Sequence, residues 1–464
     1  MEDDDNSGMT REKKNFAIEP GERDIRSGPA RESNAIRNAI HSSRDAGKGE
    51  GYRRLKILMA FHLPSYPPNY GAAKRNFHLF EETAKRHDVS VVCYGSPEDE
   101  RAFKAAFAGM CSHIVFVAPK PRWLRRLILL WLFVTGRSSF YLLRSRKYQQ
   151  ALNEILGKET FDILHLRAVL LGTHHLPKDI PLLGDMHNVE YDNLYRAYKE
   201  SRNGIRKLYY AIEYRFAKSA EIALAKKLDV LLATSERDAE MFIQQCPDVR
   251  MHVIPNGVDL SFFSVQKETP KPRTIVFTGL MNYYPNHHGM LWFLDEVFPL
   301  IVEKVPDTHL SIVGANPSKN IVKRSGRNVV VTGFVDDVRP YVARSEIFVI
   351  PLRIGGGTRL KALEAMAMKR PIVSTTLGCE GIHLKHGESA LFGDNPHEFA
   401  EAVARLFEDA DLRSRLVENA YTNVVNHYSW KAIGADLERI HQSMGKAKVE
   451  GNRPDLPMSS QEIR

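Results

Sequence analysis

EIFVIPLRIGGGTRLKALEAMAMKRPIVST, residues 346–375, decides how this chain is read. Glu346–Leu352 is an apolar run with β-branched residues, which predicts a buried strand. Gly355, Gly356 and Gly357 follow as a turn, and Thr358 can cap a helix. The apolar positions Leu360, Leu363, Met366 and Ala367 recur at helical spacing, and a second apolar strand starts near Arg370. The stretch is therefore a strand–helix–strand unit with a polar head. Backbone amides at the helix start, aided by its dipole and by Arg359 and Lys361, suit an anion such as a diphosphate. Glu364 lies just over one turn further in, where a carboxylate suits a sugar diol. A plain tight turn followed by a surface Lys361–Glu364 pair fits the same residues. The pattern is neither GxGxxG nor GxxxxGK[ST], so it does not by itself indicate a dinucleotide or ATP hydrolysis.

Working outward, a chain of 464 residues predicts two or three domains. A net charge of +9 fits an anionic partner: a nucleotide diphosphate, an anionic membrane face or nucleic acid. The basic residues form no aromatic-interleaved stripe, which argues against nucleic acid. Cys93, Cys111, Cys246 and Cys379 are far apart and form no CxxC, so neither a disulfide framework nor structural zinc is expected. No HExxH, DFG or GxSxG occurs. The acidic start MEDDDNSGMT is unlike a signal peptide, so a cytoplasmic protein is expected. WLRRLILLWLFVT, residues 123–135, is strongly apolar but carries Arg125 and Arg126. It is too short to span a bilayer. Two readings remain: a helix lying on an anionic membrane face, with Lys120, Arg122, Arg125, Arg126 and Arg137 around Trp123 and Trp131, or an internal helix under a sheet.

The remaining chain alternates in the same way. Apolar runs at 55–61, 89–94, 113–117, 161–166, 180–184, 229–234 and 251–254 read as strands separated by helices, including one long helical region at 190–227. After the turn Pro255-Asn256-Gly257, strands at 274–278, 308–313 and 328–332, with a helix expected at 287–304, precede the opening unit, and helices follow it. Such alternation predicts an α/β fold with mostly parallel sheets covered on both faces. The expected divisions are a polar tail over 1–50, one doubly wound domain over 51–262, a second over 263–444 and a polar tail over 445–464. Ligands of such sheets sit at the carboxyl ends of the strands, so Gly71, His187 and residues 355–364, which all follow strands, can converge on an interdomain cleft.

With these residues placed, the chain resembles glycosyltransferase family 4. PNGVD at 255–259, SIVGANP at 311–317, the 331–375 stretch, YSW at 428–430 and the loop HLPSYPPNYGAAKRN at 62–76 carry the likeness in order and spacing, over about residues 55–442. The closest match is to members with GGTRLKxLEAMA after the strand. The resemblance implies the GT-B fold, two facing Rossmann-like domains with a cleft between them. It implies retaining transfer of a sugar from a nucleotide diphosphate sugar to an acceptor hydroxyl, without a metal or other cofactor. The donor would bind the second domain, with Glu364 on the ribose and Arg359, Lys361 and the amides of Gly357 and Thr358 on the diphosphate. Fixed positive charge there would stabilise the departing nucleotide.

His187, in DMHNVE at 185–190, resembles the family's histidine near the reacting sugar, and Glu190 would orient it or the acceptor. Gly71 would let backbone approach the donor phosphate, with His62 and Asn69 nearby. His165 and Arg167 end another strand. Two departures stand out: Gly356 occupies the position of a glutamate that usually contacts the transferred sugar, and Leu280 replaces an arginine after the first strand of the second domain, with no lysine following. The implied partners are a nucleotide-sugar donor, a glycan or lipid-linked saccharide acceptor and an anionic membrane surface. An epimerase or hydrolase on the same fold, or an inactive binding scaffold, are the competing readings.

Overall fold

A computed structural model describes residues 53–68, 71–107, 109–201, 204–264, 268–355 and 359–450. The first domain holds seven strands: β1 (Lys56–Phe61), β2 (Asp88–Tyr94), β3 (Cys111–Val117), β4 (Ile163–Leu166), β5 (Leu182–Asp185), β6 (Val230–Ala233) and β7 (Arg250–Val253). They pair in parallel in the order β3-β2-β1-β4-β5-β6-β7. The second holds β8 (Lys271–Thr278), β9 (His309–Val313), β10 (Val329–Gly333), β11 (Ser345–Ile350), β12 (Ile372–Ser374) and β13 (Leu391–Phe392). Their order is β10-β9-β8-β11-β12-β13, again parallel. The central strands are buried on both faces, which is why they read as unbroken apolar runs.

Chain order reverses between β1 and β4 in one sheet and between β8 and β11 in the other. Loops after these strands diverge to opposite faces and leave a crevice at each reversal. His62 and Arg167 follow β1 and β4; Gly279 and the glycine turn follow β8 and β11. The expected α/β architecture is thus present, and its two crevices carry the residues singled out above.

The domains are joined twice. Pro255-Asn256-Gly257 leads into the second sheet, and the chain returns at Tyr428–Trp430. Val258 N–H donates to the Tyr428 carbonyl at 2.8 Å. A Cβ on Gly257 would lie 2.7 Å from the Trp430 ring, so only glycine lets the two crossings pack this closely. The last helix, Trp430–Glu450, then packs on the first sheet: Trp430, Ile433, Leu437, Ile440 and Met444 share a core with Leu55, Met59 and Phe80. The helix extends beyond 444, where a polar tail was expected to begin.

Two helices differ from their expected extent. The 190–227 region is two helices, Glu190–Glu200 and Gly204–Ala225, separated at the sequence Ser201-Arg202-Asn203-Gly204, in which Ser, Asn and Gly are poor helix formers. The 287–304 helix begins at Tyr284 and contains a π turn over Phe293–Val297 before Pro299, whose missing N–H breaks the regular ladder. The internal-helix reading of 123–135 is corrected. The helix Arg122–Val134 lies at the surface and exposes Trp123, Leu127, Leu130, Trp131 and Val134, because the exposed Arg126 shares their face. No described helix is long and apolar enough to cross a membrane.

Candidate active site

The cleft is built by two helix starts that meet across it. The helix Gly71–Arg86 follows β1, and the helix Leu360–Ala367 follows β11. A Cβ on Gly71 would lie 3.4 Å from Leu360 Cδ1, so the two N-terminal ends are in contact distance. The first amides of a helix lack intrahelical carbonyl partners and its dipole is positive there, so both ends suit an anion. Gly71 therefore lies beside the start of the Leu360–Ala367 helix. Gly356, Gly357 and Thr358 lie outside the described residues. Gly355, at their edge, has φ 121°, a conformation reserved for glycine.

Arg359 is 7% exposed; its Nε donates to the Leu377 carbonyl at 3.4 Å, and Nη2 lies 3.9 Å from Glu380. Burial lowers its pKa. Lys361 Nζ donates to Asn286 Oδ1 at 2.6 Å and lies 4.2 Å from the Phe277 ring centroid. It is also 3.1 Å from where a Gly279 Cβ would be, so it reaches the loop after β8 in which the family's arginine and lysine are missing. Burial, reinforced by Arg359 and opposed by Glu364, brings the Lys361 pKa down to about 7. Glu364 Oε1 accepts from Lys74 Nζ, on the opposite domain, at 2.8 Å.

On the first domain, His187 Nε2 donates to the Arg167 carbonyl at 2.9 Å, and its ring centroid is 5.5 Å from that of His62. Because a carbonyl only accepts, the neutral ring leaves Nδ1 as an acceptor. Burial lowers the His187 pKa to about 4 and that of His62 to about 3, so both are neutral at neutral pH. Beneath them, Asp185 pairs with Arg75 at 2.9 Å and Arg167 at 2.8 Å. Burial opposes the Asp185 carboxylate, but the two guanidiniums outweigh it and hold its pKa below the usual range. Arg75 also donates to the Pro255 carbonyl at 2.9 Å, which ties the site to the first crossing between the domains. His165 and Arg167 are fully buried in this network and serve its geometry.

Glu190 begins the helix that bears Arg196. Burial raises its pKa, and the Glu221 carboxylate caps the same helix by accepting from the Glu190 and Tyr191 amides at 3.2 and 3.1 Å. Tyr283, in the loop after β8, has its pKa raised by desolvation, with Arg359 opposing and Glu190 reinforcing the shift. Sequence reading missed a second cross-cleft group. Arg196 donates to the Gly355 carbonyl and pairs with Asp192 at 2.8 Å; Arg237 joins Asp192 at 2.9 Å to Glu380 at 3.2 Å. Lys74 was missed too. No local periodicity marks a residue whose partner lies on the other domain.

Among the described residues, His87, Glu438 and His441 bring possible metal-ligand atoms within 4.8 Å of one another. They fit hydrogen bonding better. His87 Nδ1 accepts from the Leu55 amide at 3.3 Å, so the ring proton is on Nε2, which faces Glu438 at 2.8 Å and is not free to bind a metal.

Two family models match the chain in succession: Glycosyltransferase Family 4 over residues 70–262 and Glycosyl transferases group 1 over residues 272–409. The chain belongs to glycosyltransferase family 4. An uncharacterized 44.6 kDa protein in the cps region of Klebsiella pneumoniae is 23% identical over 82% of this chain and 98% of its own length. The phosphatidyl-myo-inositol mannosyltransferase of Mycobacterium tuberculosis is 28% identical over 42% of this chain and 56% of its own. Anabaena HepE, solved in complex with UDP and glucose, superposes with a TM-score of 0.60 at 13% identity, covering 84% of this chain and 100% of HepE. The glycosyltransferase thus has the GT-B fold expected from its sequence.

Proposed function

We propose that this glycosyltransferase moves a hexose, with retention of configuration, from a nucleotide diphosphate sugar to a hydroxyl of a glycan or lipid-linked saccharide. The observation that carries this reading is the meeting of two helix starts, with Arg359, Lys361 and Glu364 on one side and Gly71 and His187 on the other. The diphosphate would sit between the helix starts, and the amides of Gly357 and Thr358 would join them. Glu364 would accept from the ribose hydroxyls. As the bond between the anomeric carbon and the phosphate oxygen breaks, negative charge grows on the diphosphate, where Arg359 and Lys361 oppose it. The acceptor oxygen bonds to that carbon from the same face, and its proton passes to the departing phosphate oxygen. His187 takes part as a neutral ring: its Nδ1 accepts from a sugar hydroxyl, and Glu190 orients the acceptor. No metal is needed for this charge balance.

Relatives support the substrate classes. HepE was solved with UDP and glucose, and the mycobacterial relative is named for mannosyl transfer to phosphatidyl-myo-inositol. The surface helix Arg122–Val134 supports a peripheral membrane contact. Its exposed Trp123, Leu127, Leu130 and Trp131 are joined to the exposed Ile205, Leu208 and Tyr209 of the Gly204–Ala225 helix through Phe133, which stacks on Tyr209 with ring centroids 5.9 Å apart. Arg125, Arg126 and Arg137 supply charge for anionic lipid. The test is to incubate the protein with a panel of nucleotide sugars and measure free nucleoside diphosphate with and without lipid-linked saccharides. Acceptor-dependent release supports transfer. Acceptor-independent conversion supports an epimerase or hydrolase, and no binding of any nucleotide overturns both.

A further inference from the structure

We propose that Lys74 is a donor-binding residue supplied by the first domain: it holds Glu364 when the cleft is empty and moves onto the diphosphate when a nucleotide enters. The proposal rests on the donor site described above. Lys74 and Arg75 are neighbours on the first turn of the Gly71–Arg86 helix but point in different directions. Arg75 is buried and committed to Asp185, Pro255 and Asn256. Lys74 instead crosses the cleft to Glu364 Oε1 at 2.8 Å, with its ammonium 5.6 Å from the Phe263 ring centroid. Both members of the pair keep some exposure, 33% for Lys74 and 17% for Glu364, so a ligand can reach between them.

The exchange follows from what each group can do. A carboxylate only accepts, so ribose hydroxyls and the Lys74 ammonium compete for Glu364. The ammonium is a point charge on a flexible four-carbon stem and can be re-aimed without moving the helix. Its new target is close. Lys361 and Glu364 are three residues apart on one helix, so a diphosphate held at the Lys361 end lies about one helical turn from the Lys74 seat. The Gly71 helix start that carries Lys74 already touches Leu360 there. A bridge between the domains is thereby replaced by one that passes through the ligand, and the cleft stays closed around the donor. The exchange also supplies positive charge near a loop that lacks the family's arginine and lysine after β8.

The test is calorimetric titration of the full chain, as parent, Lys74→Met and Lys74→Arg, with uridine, UDP, guanosine and GDP. For the diphosphate that binds the parent, Lys74→Met is expected to weaken binding at least tenfold, as loss of one charge-assisted contact should. Its nucleoside should bind no worse, because Glu364 is released, and Lys74→Arg should restore most of the diphosphate affinity. Unchanged diphosphate affinity in Lys74→Met overturns the proposal while leaving the donor site intact. Equal losses for nucleoside and diphosphate also overturn it, since they indicate a structural role. A parent that binds neither diphosphate removes the donor site itself, and this proposal with it.

Discussion

Replacing Glu364 by Ala isolates the ribose contact from the diphosphate contact. Its side chain is 17% exposed and already engages a cation at 2.8 Å, so it is well placed to accept strong hydrogen bonds. Two bonds from ribose hydroxyls to a carboxylate contribute about 3 kcal/mol at the low end of charge-assisted values. Removing the carboxylate also removes repulsion of the nearby diphosphate and frees Lys74, which returns roughly 1 kcal/mol in a partly exposed, high-dielectric site. The net loss is about 2 kcal/mol, on the order of thirtyfold in Kd. Titration calorimetry with the nucleoside diphosphate that binds the parent reads this directly. A 2′,3′-dideoxy nucleotide serves as control: it should bind the parent weakly and lose little further in Glu364→Ala. If Glu364→Ala binds the ordinary nucleotide as tightly as the parent, the assignment of this helix to the ribose is wrong.

Other outcomes follow from the same geometry. His187→Ala should lower turnover at least tenfold with a smaller change in nucleotide Kd, because the proposed mechanism puts the ring against the reacting sugar rather than the nucleotide; a purely KM effect in steady-state kinetics contradicts this. With Lys361 near pKa 7 in the empty site, nucleotide binding at pH 8 should take up protons, since the anion favours the ammonium; a calorimetric enthalpy independent of buffer ionisation refutes it. His174 is buried, and its burial lowers its pKa from 6.5 to about 4, so the unfolded chain binds the extra proton first as pH falls. Stability should therefore be complete above pH 6.5 and decline toward pH 4, and His174→Gln should flatten that decline in melting curves; an unchanged slope contradicts the assignment. Arg125→Glu with Arg126→Glu should abolish sedimentation with anionic vesicles while sparing nucleotide binding; unchanged sedimentation refutes the membrane contact.

Much of the fold was legible because buried parallel strands are apolar on both faces, so β1, β6 and β11 stand out without any partner in view. The helix after β11 was legible from its 3.6-residue spacing. The destination of Trp430–Glu450 was not: its amphipathic face specifies burial but not which sheet does the burying. The same limit applies to the site. Gly71, His187, Arg359, Lys361 and Glu364 could be found from their places after strands and at helix starts. Lys74, Arg196, Arg237 and Glu380 are ordinary surface charges in the sequence and acquire meaning only when two domains face each other. Lys361 illustrates a subtler case. Its charge was visible in the sequence, but its lowered pKa and its reach to Asn286 come from packing against Phe277 and Arg359.

The central claim is that a nucleotide sugar lies between the Gly71 and Leu360 helix starts. A crystal structure of the protein soaked with UDP- and GDP-sugars tests it most directly. The account predicts density for the diphosphate against Gly71, Arg359 and Lys361, with the ribose hydroxyls on Glu364. A nucleotide bound elsewhere, or one whose ribose lies away from Glu364 in a closed cleft, would contradict it.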